Sequence, residues 1–174
     1  MLGVIFADNN YLDKLRWQLL IISLLQKDKP YVHGSHGPDS FDCAGLVWYL
    51  YNELLNIDLY ELGFGLSTTT KMITSRYGKI TLYEDNSLFK DLSNLKCGDI
   101  LFFHRQSKND SIPTINNKYP GHCGIFLKDN YFIHCSIRYK KVTINNLEDD
   151  IYWKKILIGS KNIIDNTYVY KKHN

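Results

Sequence analysis

The stretch "DSFDCAGLVWYLYNELL", residues 39–55, combines the start of a helix with a cysteine in its first turn. Asp42 or Ser40 can cap the amino end of this helix, which leaves Cys43 beside backbone amides that have no partner within the helix. A stripe of apolar side chains follows the cysteine, and its spacing predicts a buried helix over about residues 42–55. The cysteine is therefore either core filler or a nucleophile.

Its position favours a nucleophile. Free cysteine is among the most buried residue types, so packing is its ordinary role. At the first turn of a helix, however, the positive end of the helix dipole favours the thiolate, which is the nucleophilic form. The preceding "GSHGPDS", residues 34–40, reaches the helix through small residues and leaves room for a substrate backbone beside the sulfur.

Two histidines can supply the base that a catalytic cysteine needs. His122 and His134 lie on adjacent predicted strands joined by residues 128–130. A three-residue loop pairs Leu127 with Tyr131, and this register puts both histidines on one face because both numbers are even. They then lie diagonally, with roughly 7–8 Å between their backbone positions. A loop with an even number of residues would put them on opposite faces.

The order of the remaining elements predicts an α+β fold with helices before strands. An amphipathic helix is predicted over residues 12–26, ending before Pro30, and a short helix within 67–78. Strands are predicted in an antiparallel meander over residues 99–103, 122–127, 131–135, 141–145 and 154–159. The polar loop at 105–121 has a length that is typical of functional or of mobile loops, and two alternatives stay open: it lies at the rim of the cleft and sets specificity, or it is simply disordered.

Length and composition narrow the class of protein. A chain of 174 residues suits one domain, here 1–174 with a polar tail at 161–174. A net charge of +3 without a long basic run argues against nucleic-acid binding. The four cysteines form no CxxC pair, so we expect no structural zinc. A thiol nucleophile with an imidazole base needs no metal, and we expect no cofactor. No signal peptide and no membrane span are apparent.

Three segments together resemble a known family. They are "PYVHGSHGPDSFDCAGLV" at 30–47, "LKCGDILFF" at 95–103 and "GHCGIFLKDNYFIHCS" at 121–136. They are similar, in order and spacing, to the signature blocks of the NlpC/P60 cysteine peptidases, which typically read PYxxGG…FDCSGLV, LxPGDLxFF and HVGIYxGxxxxIHA. The resemblance covers about residues 29–136.

The resemblance implies a papain-like fold and cleavage of peptidoglycan stem peptides, commonly between D-glutamate and the following diamino acid. It implies that Cys43 is the nucleophile, His122 the general base and acid, and His134 the group that orients His122. Tyr31 matches a tyrosine near the oxyanion, and Asp42 matches an aspartate that binds the free amine of the stem peptide. The enzyme would then act at the bacterial cell wall, secreted or delivered, with a separate wall-targeting partner as an option.

Four residues depart from the family pattern. Ala44 replaces a serine, and we interpret Cys97, Cys123 and Cys135 as packing residues. Two alternatives remain open on this scaffold: an amidase or acyltransferase that uses the same thioester, and a non-catalytic wall-binding or phage structural module. The order of cysteine before histidine counts against the related lipid acyltransferases, in which histidine generally comes first.

We expect a chelator to leave the activity unchanged, because thiol and imidazole carry out every step of this scheme. The rate of stem-peptide hydrolysis with and without EDTA tests this, with a zinc peptidase as the positive control for chelation. Loss of activity that added Zn²⁺ restores would contradict the scheme.

Overall fold

The computed structural model describes residues 9–54, 56, 59, 69, 78–84, 88–105 and 120–166. Within these ranges a six-stranded antiparallel sheet packs against short helices, which confirms the predicted α+β class. The helices are α1 (Asn9–Leu24), α2 (Cys43–Tyr49, continued by a π-helical turn over Leu50–Leu54) and α3 (Ile151–Ile156). The strands are β1 (Lys79–Leu82), β2 (Ile100–His104), β3 (Pro120–Phe126), β4 (Tyr131–Ser136), β5 (Lys141–Asn146) and β6 (Leu157–Asn162).

The strand order is β1–β6–β2–β3–β4–β5. The predicted meander describes β2 to β5, whose neighbours in the chain are also neighbours in the sheet. The last strand departs from it, because β6 returns to pair with β2 and separates that strand from β1. The sheet therefore has β1 and β5 at its edges and the histidine-bearing strands, β3 and β4, in its interior.

Both faces of the central sheet are buried. Phe102 and Ile125 pack with α1 and α2 on one face, whereas Phe103, Phe132 and Trp153 pack together on the other. Successive residues of a strand point to opposite faces. Because both faces are covered, the central strands read as continuous apolar runs rather than as alternating ones.

The strand predicted over 154–159 is wrong in its first half. Residues 151–156 form α3, and β6 begins only at Leu157. Asp150 caps this helix by accepting a hydrogen bond from the backbone N–H of Tyr152, and Trp153 is buried against the sheet. The cap and the buried indole favour a helical turn where the apolar run alone suggested an extended chain.

The structure differs from prediction at two further places, strand β1 and the start of the C-terminal tail. Strand β1 was not predicted. Its four residues, Lys79–Leu82, alternate between polar and apolar, but the strand is very short and all four residues are exposed. The tail predicted over 161–174 begins too early, because residues 161–162 complete β6, and Ile163 and Ile164 are buried. A 3₁₀ turn follows over Ile164–Asn166.

Two predictions fall mainly on residues outside the described ranges. The short helix predicted within 67–78 is described only at its residues 69 and 78, and residues 106–119 of the long loop are not described. The two N-terminal helices agree with prediction, with α1 and α2 beginning within three residues of the expected positions.

We predict that Gly45→Ala destabilises the protein more than Gly34→Ala does. A Cβ at Gly45 would lie 2.0 Å from the backbone carbonyl oxygen of Ser35, so the loop before α2 would have to move. We expect this to lower the free energy of unfolding by about 2–3 kcal/mol despite the better helix propensity of alanine.

Gly34 is the matched control. Its φ of +76° disfavours alanine, but no atom lies within 4 Å of the added carbon, so the expected loss is about 1 kcal/mol. Urea denaturation measures both values. A Gly45→Ala protein as stable as the parent would contradict the close packing of α2 on this loop.

Candidate active site

Asp42 joins the loop before α2 to the first turn of the helix. Its Oδ1 accepts the backbone N–H of Gly45 at 2.7 Å, and its Oδ2 accepts that of Gly34 at 2.9 Å. The structure thus selects Asp42, rather than Ser40, as the cap. Cys43 is consequently the first residue of α2, where its side chain is partly exposed.

The environment of Cys43 favours the thiolate. A hydrogen bond with the Cys123 thiol is the largest of the causes that hold the pKa of Cys43 well below its usual value. A hydrogen bond and the positive charge of His122 act in the same direction, and together these effects outweigh burial. The same contact, with burial, raises the pKa of Cys123 well above its usual value, so Cys123 stays protonated and donates.

Cys123 therefore does more than the packing role assigned to it from the sequence. It is fully buried in the core beneath α2, and its thiol also faces the sulfur of Cys43. The signal for this role was its position one residue after His122, because that position lies on the face of β3 that α2 covers.

The β3–β4 hairpin has the predicted register. Ile125 pairs with Ile133, and the backbone N–H of Leu127 donates to Tyr131 across the turn at 2.9 Å. The two histidines therefore lie on the same face of the hairpin, as predicted from the three-residue loop. Nε2 of His122 lies 2.7 Å from Nδ1 of His134.

His134 is fully buried and has a second partner. Its Nε2 lies 2.9 Å from Oδ1 of Asn145 on β5. Burial, helped by the charge of His122, lowers the pKa of His134 to about 3. The ring therefore stays neutral near neutral pH, carries a single proton and keeps one nitrogen free to accept a hydrogen bond.

Trp153 closes the site on the side away from α2. The centroid of its ring system lies 4.6 Å from that of His134 and 5.3 Å from that of His122. Neither Trp153 nor Asn145 was singled out from the sequence. Trp153 directly precedes the strand predicted over 154–159, and Asn145 is the last residue of the strand predicted over 141–145.

The two remaining candidate residues also lie beside Cys43. Burial, together with the negative charges of Cys43 and Asp42, raises the pKa of the Tyr31 hydroxyl. Burial is likewise the main cause that raises the pKa of Asp42. The hydrogen bonds that its carboxylate accepts from the two backbone N–H groups lower that pKa but do not outweigh burial. Their roles toward the oxyanion and the substrate amine stay predictions.

The other two cysteines have the environment expected for packing. The Cys135 thiol donates to the backbone carbonyl of Phe41 at 3.1 Å, and burial raises its pKa to about 12. The Cys97 thiol donates to the carbonyl of Arg16 at 3.4 Å, and burial raises its pKa to about 11. Neither is a nucleophile at neutral pH.

Metal clusters and membrane-spanning helices are both absent from the described residues. These residues contain no group of three or more His, Cys, Asp or Glu side chains arranged to hold a metal ion. None of the helices among them is long and apolar enough to cross a membrane.

Comparison with known proteins identifies the family. The model of the NlpC/P60 family matches residues 28–162. This chain belongs to the NlpC/P60 family. It is 31% identical to the probable endopeptidase YafL of Escherichia coli over 140 residues. The aligned region covers 80% of this chain and 46% of YafL. It is 26% identical over 140 residues to the murein DD-endopeptidase MepH of the same organism, covering 80% and 42%.

The fold is shared as well. NlpC2 of Trichomonas vaginalis superposes with a TM-score of 0.64 at 20% identity, over 86% of this chain and 47% of that one. The chain spans less than half the length of the two Escherichia coli relatives. The NlpC/P60 resemblance drawn from the three sequence blocks is thereby confirmed, and so is the fold that it implied.

We predict that Cys43 is alkylated at a lower pH than the other three thiols. Its lowered pKa maintains the thiolate as the pH falls, whereas Cys97 and Cys135 become reactive only as the pH approaches about 11 and 12. Timed treatment with iodoacetamide between pH 5 and 9, followed by peptide mapping, measures each rate. Cys123→Ala should move the Cys43 profile to higher pH, because it removes the largest stabilising contact.

A Cys43 rate that falls tenfold for each pH unit below 8 would contradict this environment. So would a Cys123→Ala protein with an unchanged profile.

Proposed function

We propose that this chain is a cysteine peptidase that hydrolyses peptidoglycan stem peptides through a thioester. The observation that carries the proposal is the 2.7 Å contact between His122 and His134, made while His122 also interacts with the lowered-pKa thiol of Cys43. Nucleophile, base and orienting group thus form a continuous chain, which is the arrangement that activates a thiol. The endopeptidase names of the two Escherichia coli relatives support the substrate class.

Acylation follows from these positions. The Cys43 thiolate attacks the amide carbonyl, and the backbone N–H of Cys43 and the Tyr31 hydroxyl hold the developing oxyanion. His122, protonated as the imidazolium, then gives its proton to the leaving amine. His134 accepts a hydrogen bond from His122 throughout and keeps the imidazole ring in line.

Deacylation reuses the same base. Once the amine has left, His122 is neutral and can take a proton from water as that water attacks the thioester. The products are a free carboxyl group and the original thiol. We assign the cleaved bond to the one between D-glutamate and the following diamino acid, with the Asp42 carboxylate near the free amine of the stem peptide.

We propose the bacterial cell wall as the place of action, since the proposed substrate is found there. The chain can reach it by secretion or by delivery, and a separate partner can provide wall targeting. Arg105 is exposed, and its positive charge partly opposes the rise in the pKa of the Tyr31 hydroxyl.

We predict that Cys43→Ala lowers turnover of purified peptidoglycan by on the order of 10⁴-fold or more, because no other group can form the thioester. Cys97→Ala is the matched control, with a thiol of raised pKa far along the chain from the nucleophile. Release of soluble muropeptides measures both. A Cys43→Ala protein that still solubilises the wall would exclude the thiol mechanism. If the parent shows no hydrolysis and the variant binds the wall equally well, the result would favour the non-catalytic module.

The bond is identified by mass spectrometry of the products. Cleavage after D-glutamate releases a new amine on the diamino acid, whereas an amidase releases the intact stem peptide from its sugar. Cleavage between two D residues would match the name of the DD-endopeptidase relative instead. Stem peptides with and without attached sugar separate these outcomes, and only the first agrees with the assigned bond.

A further inference from the structure

The direction of the hydrogen bonds in the histidine chain determines whether His122 can act as a base. A neutral imidazole carries one proton, and the other nitrogen is an acceptor. Nε2 of His122 contacts His134, which leaves Nδ1 to face Cys43. Nδ1 can take the thiol proton only if the proton of neutral His122 is on Nε2, and His134 must then accept at its own Nδ1. The proton of His134 must consequently be on Nε2.

The side-chain amide of Asn145 meets that requirement in the observed orientation. Its Oδ1 lies 2.9 Å from Nε2 of His134, and a carbonyl oxygen accepts but cannot donate. An amide can rotate by half a turn, however, and would then present its NH₂ group to His134. The opposite tautomer would follow, so something must hold the amide in its orientation.

Asp150 is the group that holds it. Nδ2 of Asn145 lies 3.2 Å from Oδ2 of Asp150 and 3.3 Å from the hydroxyl of Tyr139. A hydroxyl can donate or accept and therefore tolerates either orientation of the amide. A carboxylate only accepts, so it requires the NH₂ group on its own side and the carbonyl oxygen on the side of His134.

We propose that Asp150 is a positioning residue which, through the Asn145 amide, sets the tautomers of His134 and His122. Every hydrogen bond then runs one way, from His122 to His134, from His134 to Asn145 and from Asn145 to Asp150. The other oxygen of Asp150 caps α3 through the N–H of Tyr152 at 3.2 Å. A single carboxylate thus fixes both the start of α3 and the proton arrangement of the site. The inference deepens the proposed function and rests on it for its effect on catalysis.

Asp150→Asn tests the inference while preserving the cap, because asparagine caps helices as well as aspartate does. Its oxygen can still accept the N–H of Tyr152, and its NH₂ group then faces Asn145. The Asn145 amide rotates to accept from it and presents NH₂ to His134. The proton of His134 moves to Nδ1, where it opposes the proton on Nε2 of His122.

We expect three measurable changes in Asp150→Asn. Long-range ¹H–¹⁵N spectra of the ¹⁵N-histidine-labelled protein should show the His134 proton moving from Nε2 to Nδ1. The alkylation profile of Cys43 should shift to higher pH, because the imidazolium form of His122 loses its acceptor. The kcat for stem-peptide cleavage should fall roughly 10–100-fold with little change in KM.

The exchange variant Asn145→Asp/Asp150→Asn should reverse these changes. A carboxylate at 145 accepts from Nε2 of His134 and also from the amide introduced at 150, which restores the original direction. Asp149→Asn is the matched charge control, since Asp149 is exposed and adjacent in sequence. It should leave the spectra and the alkylation profile as they are in the parent. The other groups that face the sulfur, Asp42, Tyr31 and Cys123, are unchanged in all variants.

Parental tautomers and an unshifted alkylation profile in Asp150→Asn would overturn the inference, and so would an exchange variant no better than the single one. The spectra and the alkylation rates are measured without substrate. If tautomers follow the prediction but no stem peptide is cleaved, the positioning role stands and the proposed function fails.

Discussion

The hydrogen bond between Nε2 of His122 and Nδ1 of His134 is the interaction on which the rest of the site depends. It forms because the turn at 128–130 has three residues, which puts two even-numbered positions on one face of the hairpin. With Nε2 engaged, His122 can present only Nδ1 to the sulfur. The length of a surface turn thereby determines whether the buried histidine can support the base.

The site is assembled from both faces of the sheet. Cys43 arrives on α2 and packs against the core on one face, whereas Trp153 arrives on α3 and belongs to the core on the other. His122 interacts with both Cys43 and Trp153. The indole keeps water from His134, whose pKa of about 3 leaves it neutral and able to accept a hydrogen bond. Packing that stabilises the fold therefore also determines the protonation of the site.

Local patterns in the sequence were sufficient to predict the features that depend on neighbouring residues alone. The cysteine at a capped helix start and the hairpin register follow from cap chemistry and from the two-residue period of a strand. Trp153 and Asn145 could not be placed, because their roles arise from contacts between α3, β5 and the hairpin. Strand β1 was not predicted because its alternation spans only four residues, and its place at the sheet edge depends on pairing with β6, which lies far along the chain.

The most direct test of the account is to find where the substrate acyl group is carried during turnover. Acid quenching of the enzyme as it cleaves an ester analogue of the stem peptide, followed by peptide mapping, locates the covalent intermediate. The account predicts the added mass on the peptide that contains Cys43, as a thioester that hydroxylamine removes. An acyl group on any other residue would contradict it.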